Sequence, residues 1–558
     1  MSFLLKSNGG VKLIIRGGKI VRLEQYTQPF ATLFYKKYLE DATSLSSFFH
    51  YEWNQEALNR RLQETDFSKT KRMELVEVLT TYMRKFGLSE KSSQHLEELK
   101  DNGVVVIGGQ QAGILTGPMY SIHKAISVIT LAKQQREKLG VPVIPVFWIA
   151  GEDHDIDEIN HVYIERSRKL QKFVYPEKSR IKKIASETTF DKPLMDRYLT
   201  EIFQSLPETL YTKELFSKVM AHLEDNETYT EFFAALMNDL FHEEGLLLID
   251  AAYEPFRKLE SEYFQLFVKN ASELAKIVFE KESEFEKCGF GTPIQTKDSA
   301  AHLFYVEAGE RYLLERKEGV FINEAKGLSF TEDELMNIAK NHPERLSNNV
   351  VTRPIMQEMV FPVLSFIGGP GEIAYWGTLK TAFELFHMKM PVIMPRLSVT
   401  VANAKTQTLL DKFSFTIQDV WNGAVEEAKL QYINNHRNEQ IPQLIETMRL
   451  DLAAKYEKLE ELLQKDNLKL SPLVQKNLQY HERQFTFIEH AIDDTLLGKL
   501  DASIHRYDRI IMDLIPNGGL QERTYSPLQL LNELGPSFIK ELLQLPYEFN
   551  GKHQVVYI

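Results

Sequence analysis

An apolar, β-branched run, Val104–Ile107, stops at Gly108–Gly109 and runs into Gln110–Gln111–Ala112–Gly113. A helical pattern starts roughly ten residues further on, past Thr116–Gly117–Pro118. This order describes a buried parallel strand that delivers a loop to the carboxyl edge of a sheet, where open α/β folds bind ligands. Glycines let backbone approach a ligand, and free N–H groups at the start of the next helix favour an anion. A ligand loop is therefore expected at Gly108, Gly109, Gln110, Gln111, Gly113 and Gly117. Gly108 and Gly113 have the separation of a P-loop, but Ile114–Leu115 stand where Lys and Ser/Thr are required. No Walker A motif is present, and no G-x-G-x-x-G follows a strand.

Residues 21–100 lean helical, and residues 101–400 alternate strand and helix signals. Further strands are expected at Val143–Ile149, Leu246–Ile249, Val360–Ile367 and Val392–Met394, and helices across much of 190–285. A short-strand insertion is expected at Ala301–Ile322 around Gly309 and Gly319, and Thr331 with Glu334 reads as a capping box. Beyond 400 the pattern turns helical. Ile445, Met448, Leu452, Tyr456, Leu459 and Leu463 recur at three- and four-residue steps, and Leu478, Phe485, Ile488, Ile492 and Leu496 mark a second helix. Pro472 and Lys465–Asn467 would turn one helix back on the other, and the apolar seam of such a hairpin favours a homodimer. The predicted organisation is a catalytic core at 21–400, a coiled-coil arm at 401–510 and a segment at 511–558 that returns to the core.

Composition narrows the function classes. A net charge of −12 lacks the basic face that nucleic acid or a membrane surface requires. Cys288 is the single cysteine, which rules out an intrachain disulfide or a cysteine zinc cage and fits a reducing cytoplasm. No apolar run approaches the ~20 residues of a membrane span. Met1–Ile20, with two Gly pairs and scattered basic residues, lacks the unbroken apolar stretch of a secretory signal. It is read as a non-native or upstream-start extension.

Polar chemistry gathers at three strand ends. After Val143–Ile149 come Glu152, Asp153, His154, Asp155, Asp157, Glu158 and His161. Carboxylates this close raise one another's pKa, which suits either acid–base work by Asp153, His154 and Asp155 or a bound cation. Asp157 and Glu158 have a plainer use at a helix start. The loop Gly368–Gly369–Pro370–Gly371–Glu372 repeats the strand–glycine–helix design and is expected to form a nest of N–H groups beside Glu372. Arg353, preceding Pro354, is expected in extended backbone and suits bidentate capture of carboxylate or phosphate. His123 lies in the first helix near its anion-facing end. Asn517, Gln521 and Arg523, in Pro516–Arg523, are expected to close a second small-molecule pocket.

Taken together, Gly108–Gly113, Trp148–Asp155, Asn349–Pro354, Gly368–Gly371 and Pro516–Arg523 resemble the bacillithiol biosynthesis cysteine-adding enzymes of low-GC Gram-positive bacteria. The resemblance runs from about residue 22 to the C-terminus. It implies a Rossmann-like, nucleotidyltransferase-type α/β core with inserted connecting segments, an α-helical coiled-coil domain, a homodimer and a bound adenine nucleotide. The implied reaction joins L-cysteine to the glucosamine amine of glucosaminyl malate. Under it, Asp153, His154 or Asp155 would deprotonate the glucosamine ammonium, Arg353 would clamp the malate carboxylates and His123 would contact phosphate. ATP or ADP is the expected cofactor, with Mg²⁺ beside it and zinc at the cysteine thiol an open point. Neither signature motif of the class I synthetases is intact. The alternatives are a nucleotide-sugar-type transferase and a non-catalytic coiled-coil scaffold with a regulatory nucleotide pocket.

Overall fold

A computed structural model describes residues 3–8, 11–16, 19–176 and 183–558. At its centre lies a five-stranded sheet in the order Val392–Pro395, Val363–Gly368, Val104–Gln110, Val143–Ile149, Leu247–Asp250, with every neighbouring pair parallel. Both faces are covered. Val104, Val105, Val106 and Ile107 are buried, as is the whole of Val143–Ile149. This is why these strands read as continuous apolar runs rather than alternating ones. The helix Met119–Leu139 packs on the sheet and is buried along most of its length, with Gly140 in the left-handed conformation that stops it.

The chain places its second and third strands to one side of Val104–Gln110 and its last two to the other. The order therefore reverses between Val104–Gln110 and Val363–Gly368, the position at which an open α/β sheet leaves a crevice at its carboxyl edge. The strand expected from Val360 begins instead at Val363, because Val360 closes the helix Thr352–Val360 and Pro362 blocks its continuation. Helices Lys192–Ser205, Thr212–Asp225, Tyr229–Phe241 and Ser261–Lys287 fill the predicted helical insertion. The short-strand insertion is an antiparallel sheet of Leu328–Phe330, Val320–Asn323, Glu310–Lys317, Ala300–Glu307 and Leu346–Asn348. The capping box at Thr331 and Glu334 is present.

Two compact units result, one of residues 1–401 and 519–558, the other of residues 402–518. In the first, the C-terminal strand His553–Tyr557 pairs with Lys19–Tyr26, which in turn pairs with Val11–Arg16. Part of the segment expected to be foreign to the fold thus carries regular strand pairing, while Met1, Ser2, Gly9, Gly10, Gly17 and Gly18 lie outside the described residues. The second unit is helical. Gln440–Lys465 and Ser471–Leu514 form the hairpin, with Pro472 in the first turn of the second helix, where its missing N–H is harmless. Arg449 bridges to Glu482 and Glu489 across it. Leu444, Leu450 and Phe487 remain 62–66% exposed on these helices. No helix among the described residues is long and apolar enough to cross a membrane.

Candidate active site

A cleft of about 290 Å³ opens where the strand order reverses. Gly109, Gln110 and Gln111 line it from one strand end, Gly369, Pro370, Gly371 and Glu372 from the next, and Ala150 and Asp153 from a third. The helix Thr352–Val360 contributes Arg353, Pro354 and Gln357, and Met119–Leu139 contributes Tyr120 and Lys124. Arg396, just past Val392–Pro395, and Arg523 complete its cationic lining.

The cations are held in different ways. Lys124 is buried and ion-paired with Glu372; burial pulls its pKa down, against the opposing pull of that carboxylate. Glu372 also accepts the Gly369 N–H at 2.7 Å, capping the short helix Pro370–Trp376. Arg353 lies with its Nε 3.8 Å from Glu152 Oε1. Burial disfavours its charge, but Tyr375, Glu152, Asp153 and Glu372 together raise its pKa. Glu152 is itself buried and accepts Arg257 Nη2 at 2.7 Å, while Arg257 Nη1 donates to Glu260 at 2.8 Å. Burial lifts the Glu260 carboxyl to about 8.

Asp153 lines the cleft with its pKa shifted opposite to the raised value expected from its carboxylate neighbours. Burial works to raise its pKa, but the Gln111 amide, donating at 2.7 Å, leads the groups that hold it below the ordinary value. Arg311, Arg353 and the His154 N–H assist. The cleft thus combines four cations with two carboxylates, Asp153 and the Glu372 that pairs with Lys124, a set chemically able to bind oxyanions and to accept a proton.

The N-terminal Rossmann-like domain of bacillithiol biosynthesis BshC matches residues 21–397, and the family's C-terminal coiled-coil domain matches residues 399–558. The chain belongs to the bacillithiol biosynthesis BshC family. Among BshC relatives, "Putative cysteine ligase BshC" of Lysinibacillus sphaericus is 44% identical over 538 residues, covering 96% of this chain and 100% of its own. The protein of the same name from a Geobacillus species is 37% identical, covering 95% and 98%, and that from Bacillus velezensis 37%, covering 92% and 96%.

Within this BshC-family cleft, Gly109, Gln110, Gln111, Asp153, Arg353, Gly369, Gly371, Glu372 and Arg523 come together. Other expected residues lie elsewhere. Gly108 is inside the sheet, where an added Cβ would sit 3.0 Å from Val128, and Gly368 has Ile373 at 2.8 Å. Gly113 and Gly117 line an adjoining hollow with Gln111 and Arg523, in a loop so tight that a Cβ on Gly113 would meet Gly117 Cα at 2.7 Å. His154 packs its ring edge-on to Phe304, and Asp155 is exposed at the start of the helix Ile156–Ile159. Asn517 belongs to the helical unit.

Four expectations need correction. The glycines 368, 369 and 371 form no nest, because none has a positive φ and the Gly369 N–H is already taken by Glu372. Arg353 is helical rather than extended, since Pro354 falls in a first turn whose N–H groups at Val351 and Thr352 are capped by Asn349. His123 is turned away from the cleft and its Nδ1 donates to Glu522 at 2.7 Å. Of the predicted second pocket, Gln521 bonds both ways with the Val401 backbone, whereas Arg523 lines the cleft and the hollow beside it.

Sequence reasoning missed Lys124, Tyr120, Gln357 and Arg396. Helical spacing was the available signal for three of them: Tyr120 and Lys124, like Arg353 and Gln357, are i,i+4 pairs on one helix face. Arg396 directly follows a core strand, the position that singled out Asp153.

Proposed function

We propose that this chain is the cysteine ligase of bacillithiol biosynthesis, joining the carboxyl group of L-cysteine to the glucosamine amine of glucosaminyl malate. One observation carries the reading: four cations and the ionised Asp153 converge at the switch point of a parallel sheet. Glucosaminyl malate brings two carboxylates and an ammonium, which match this set in charge. Arg353 holds a malate carboxylate, and Asp153 accepts the ammonium proton so that the nitrogen lone pair is free to attack. Lys124 and Arg523 hold the phosphate oxygens of an adenine nucleotide, ATP or ADP, with Mg²⁺ beside them, and Arg396 adds a further oxyanion contact. When bound, the nucleotide supplies activation of the cysteine carboxylate. Among the described residues no three His, Cys, Asp or Glu side chains gather to hold a metal ion, and no step is assigned to zinc.

The exposed apolar residues of the helical hairpin support a homodimer formed through that unit. A thiol product and a lone exposed cysteine favour the cytoplasm.

The test is incubation of the full chain with glucosaminyl malate, L-cysteine, Mg²⁺ and ATP, followed by mass spectrometry. Bacillithiol is the expected product, accompanied by AMP if activation is adenylation and by ADP if it is phosphorylation. Unchanged glucosaminyl malate and ATP would refute the reading.

A further inference from the structure

Glu522 does not line the cleft, yet it is the most heavily bonded carboxylate near it. It is 1% exposed and receives five hydrogen bonds. Arg396 donates through Nη2 to Oε1 at 2.6 Å and through Nη1 to Oε2 at 2.9 Å. Ser398 Oγ donates to Oε1 at 2.9 Å, and the Val399 N–H and His123 Nδ1 to Oε2 at 3.0 and 2.7 Å. A carboxylate has about four lone-pair sites, so Glu522 has no capacity left for a ligand.

The geometry of Arg396 is complementary. A guanidinium carries five N–H donors in a planar fork. Its end-on pair faces Glu522, and the other Nη1 hydrogen goes to the Leu397 carbonyl at 2.9 Å. The side-on pair, Nε–H and the second Nη2–H, has no hydrogen-bond partner among the described residues, and Arg396 lines the cleft. Those two parallel donors match the two oxygens of a carboxylate or phosphate.

We propose that Glu522 is a positioning residue: it fixes Arg396 so that the side-on fork receives an oxyanion of the substrate or nucleotide, while His123 and Ser398 fix Glu522. Burial disfavours the charge on His123, so the ring serves as a neutral Nδ1–H donor. The proposal rests on the cleft being the substrate site, and the test separates the two.

Binding of glucosaminyl malate and of ATP to the full chain is measured by calorimetry, each alone, for wild type, R396M, E522Q and the double variant. R396M and E522Q are each expected to weaken the same one of the two ligands by about tenfold or more. Which ligand weakens tells a carboxylate from a phosphate occupant. The double variant is expected to bind within about twofold of R396M, because Glu522 acts only through Arg396. Wild-type affinity in E522Q, or a double loss equal to the product of the single losses, overturns the positioning role. Wild-type affinity for both ligands in R396M overturns it too, and removes Arg396 from the cleft reading. Should E522Q fail to fold by circular dichroism, H123A and S398A each delete one bond to Glu522. Weakened binding of that same ligand in both supports the proposal, and wild-type binding in both overturns it.

Discussion

Arg353 lines the cleft with its Nε 3.8 Å from Glu152 Oε1, and neither atom makes a hydrogen bond among the described residues. The second oxygen of Glu152 is occupied by Arg257. Glu152 therefore acts on Arg353 through charge rather than through a fixed bond, and leaves the guanidinium donors to a ligand. E152Q is expected to raise KM for glucosaminyl malate with a smaller change in kcat, while R353M raises it at least as far. Steady-state kinetics at fixed ATP and cysteine checks the order. A fall confined to kcat would place Glu152 in the chemistry instead.

Glu372 serves two partners, the Gly369 N–H and Lys124. E372A leaves both unpaired. A loss of about 1–3 kcal/mol in stability is expected from urea unfolding, because a buried group without its partner keeps its full desolvation penalty. E372Q retains a cap on Gly369 and loses less.

Glycines in the two cleft loops differ in what they allow. A Cβ at Gly109 would stand 2.5 Å from the Trp148 carbonyl oxygen, which belongs to a neighbouring strand and cannot yield. At Gly371 nothing lies within 4 Å. G109A is expected to destabilise by about 1–3 kcal/mol, whereas G371A unfolds at the wild-type urea midpoint or slightly above it.

Several histidines are buried neutral. Burial pulls His95, His302 and His553 from 6.5 down to about 4. A base depressed in the folded state takes up its proton first in the unfolded chain, so stability is full above 6.5 and lost as pH falls toward 4. The urea midpoint is expected to drop across that interval. H302N should make the drop shallower, since position 302 has φ +56°, which Asn tolerates. An unchanged slope would mean that His302 is charged in the fold.

The core was legible because burial on both faces demands long β-branched runs, and Val104–Ile107 and Val143–Ile149 have no other use. Strand-end residues such as Asp153 followed from that. Their partners did not. His123 and Lys124 are neighbours in sequence, and only the helix phase sends one to Glu522 and the other to the cleft. Arg353 is helical although it precedes proline, because the local cap that Asn349 places on the Val351 and Thr352 N–H groups opens a helix there and outweighs the preference for extended backbone. Glu522 stood between two residues assigned to a ligand and was passed over. Its significance depends on Arg396, which lies 126 positions earlier.

That separation has a consequence during synthesis. All five strands of the parallel sheet are synthesised before residue 400, with Arg396 just behind the last of them. The carboxylate that holds it, and that engages His123 from 399 positions away, is made only 126 residues after Arg396. A nascent chain therefore owns the strands of its scaffold well before it owns the carboxylate that fixes Arg396.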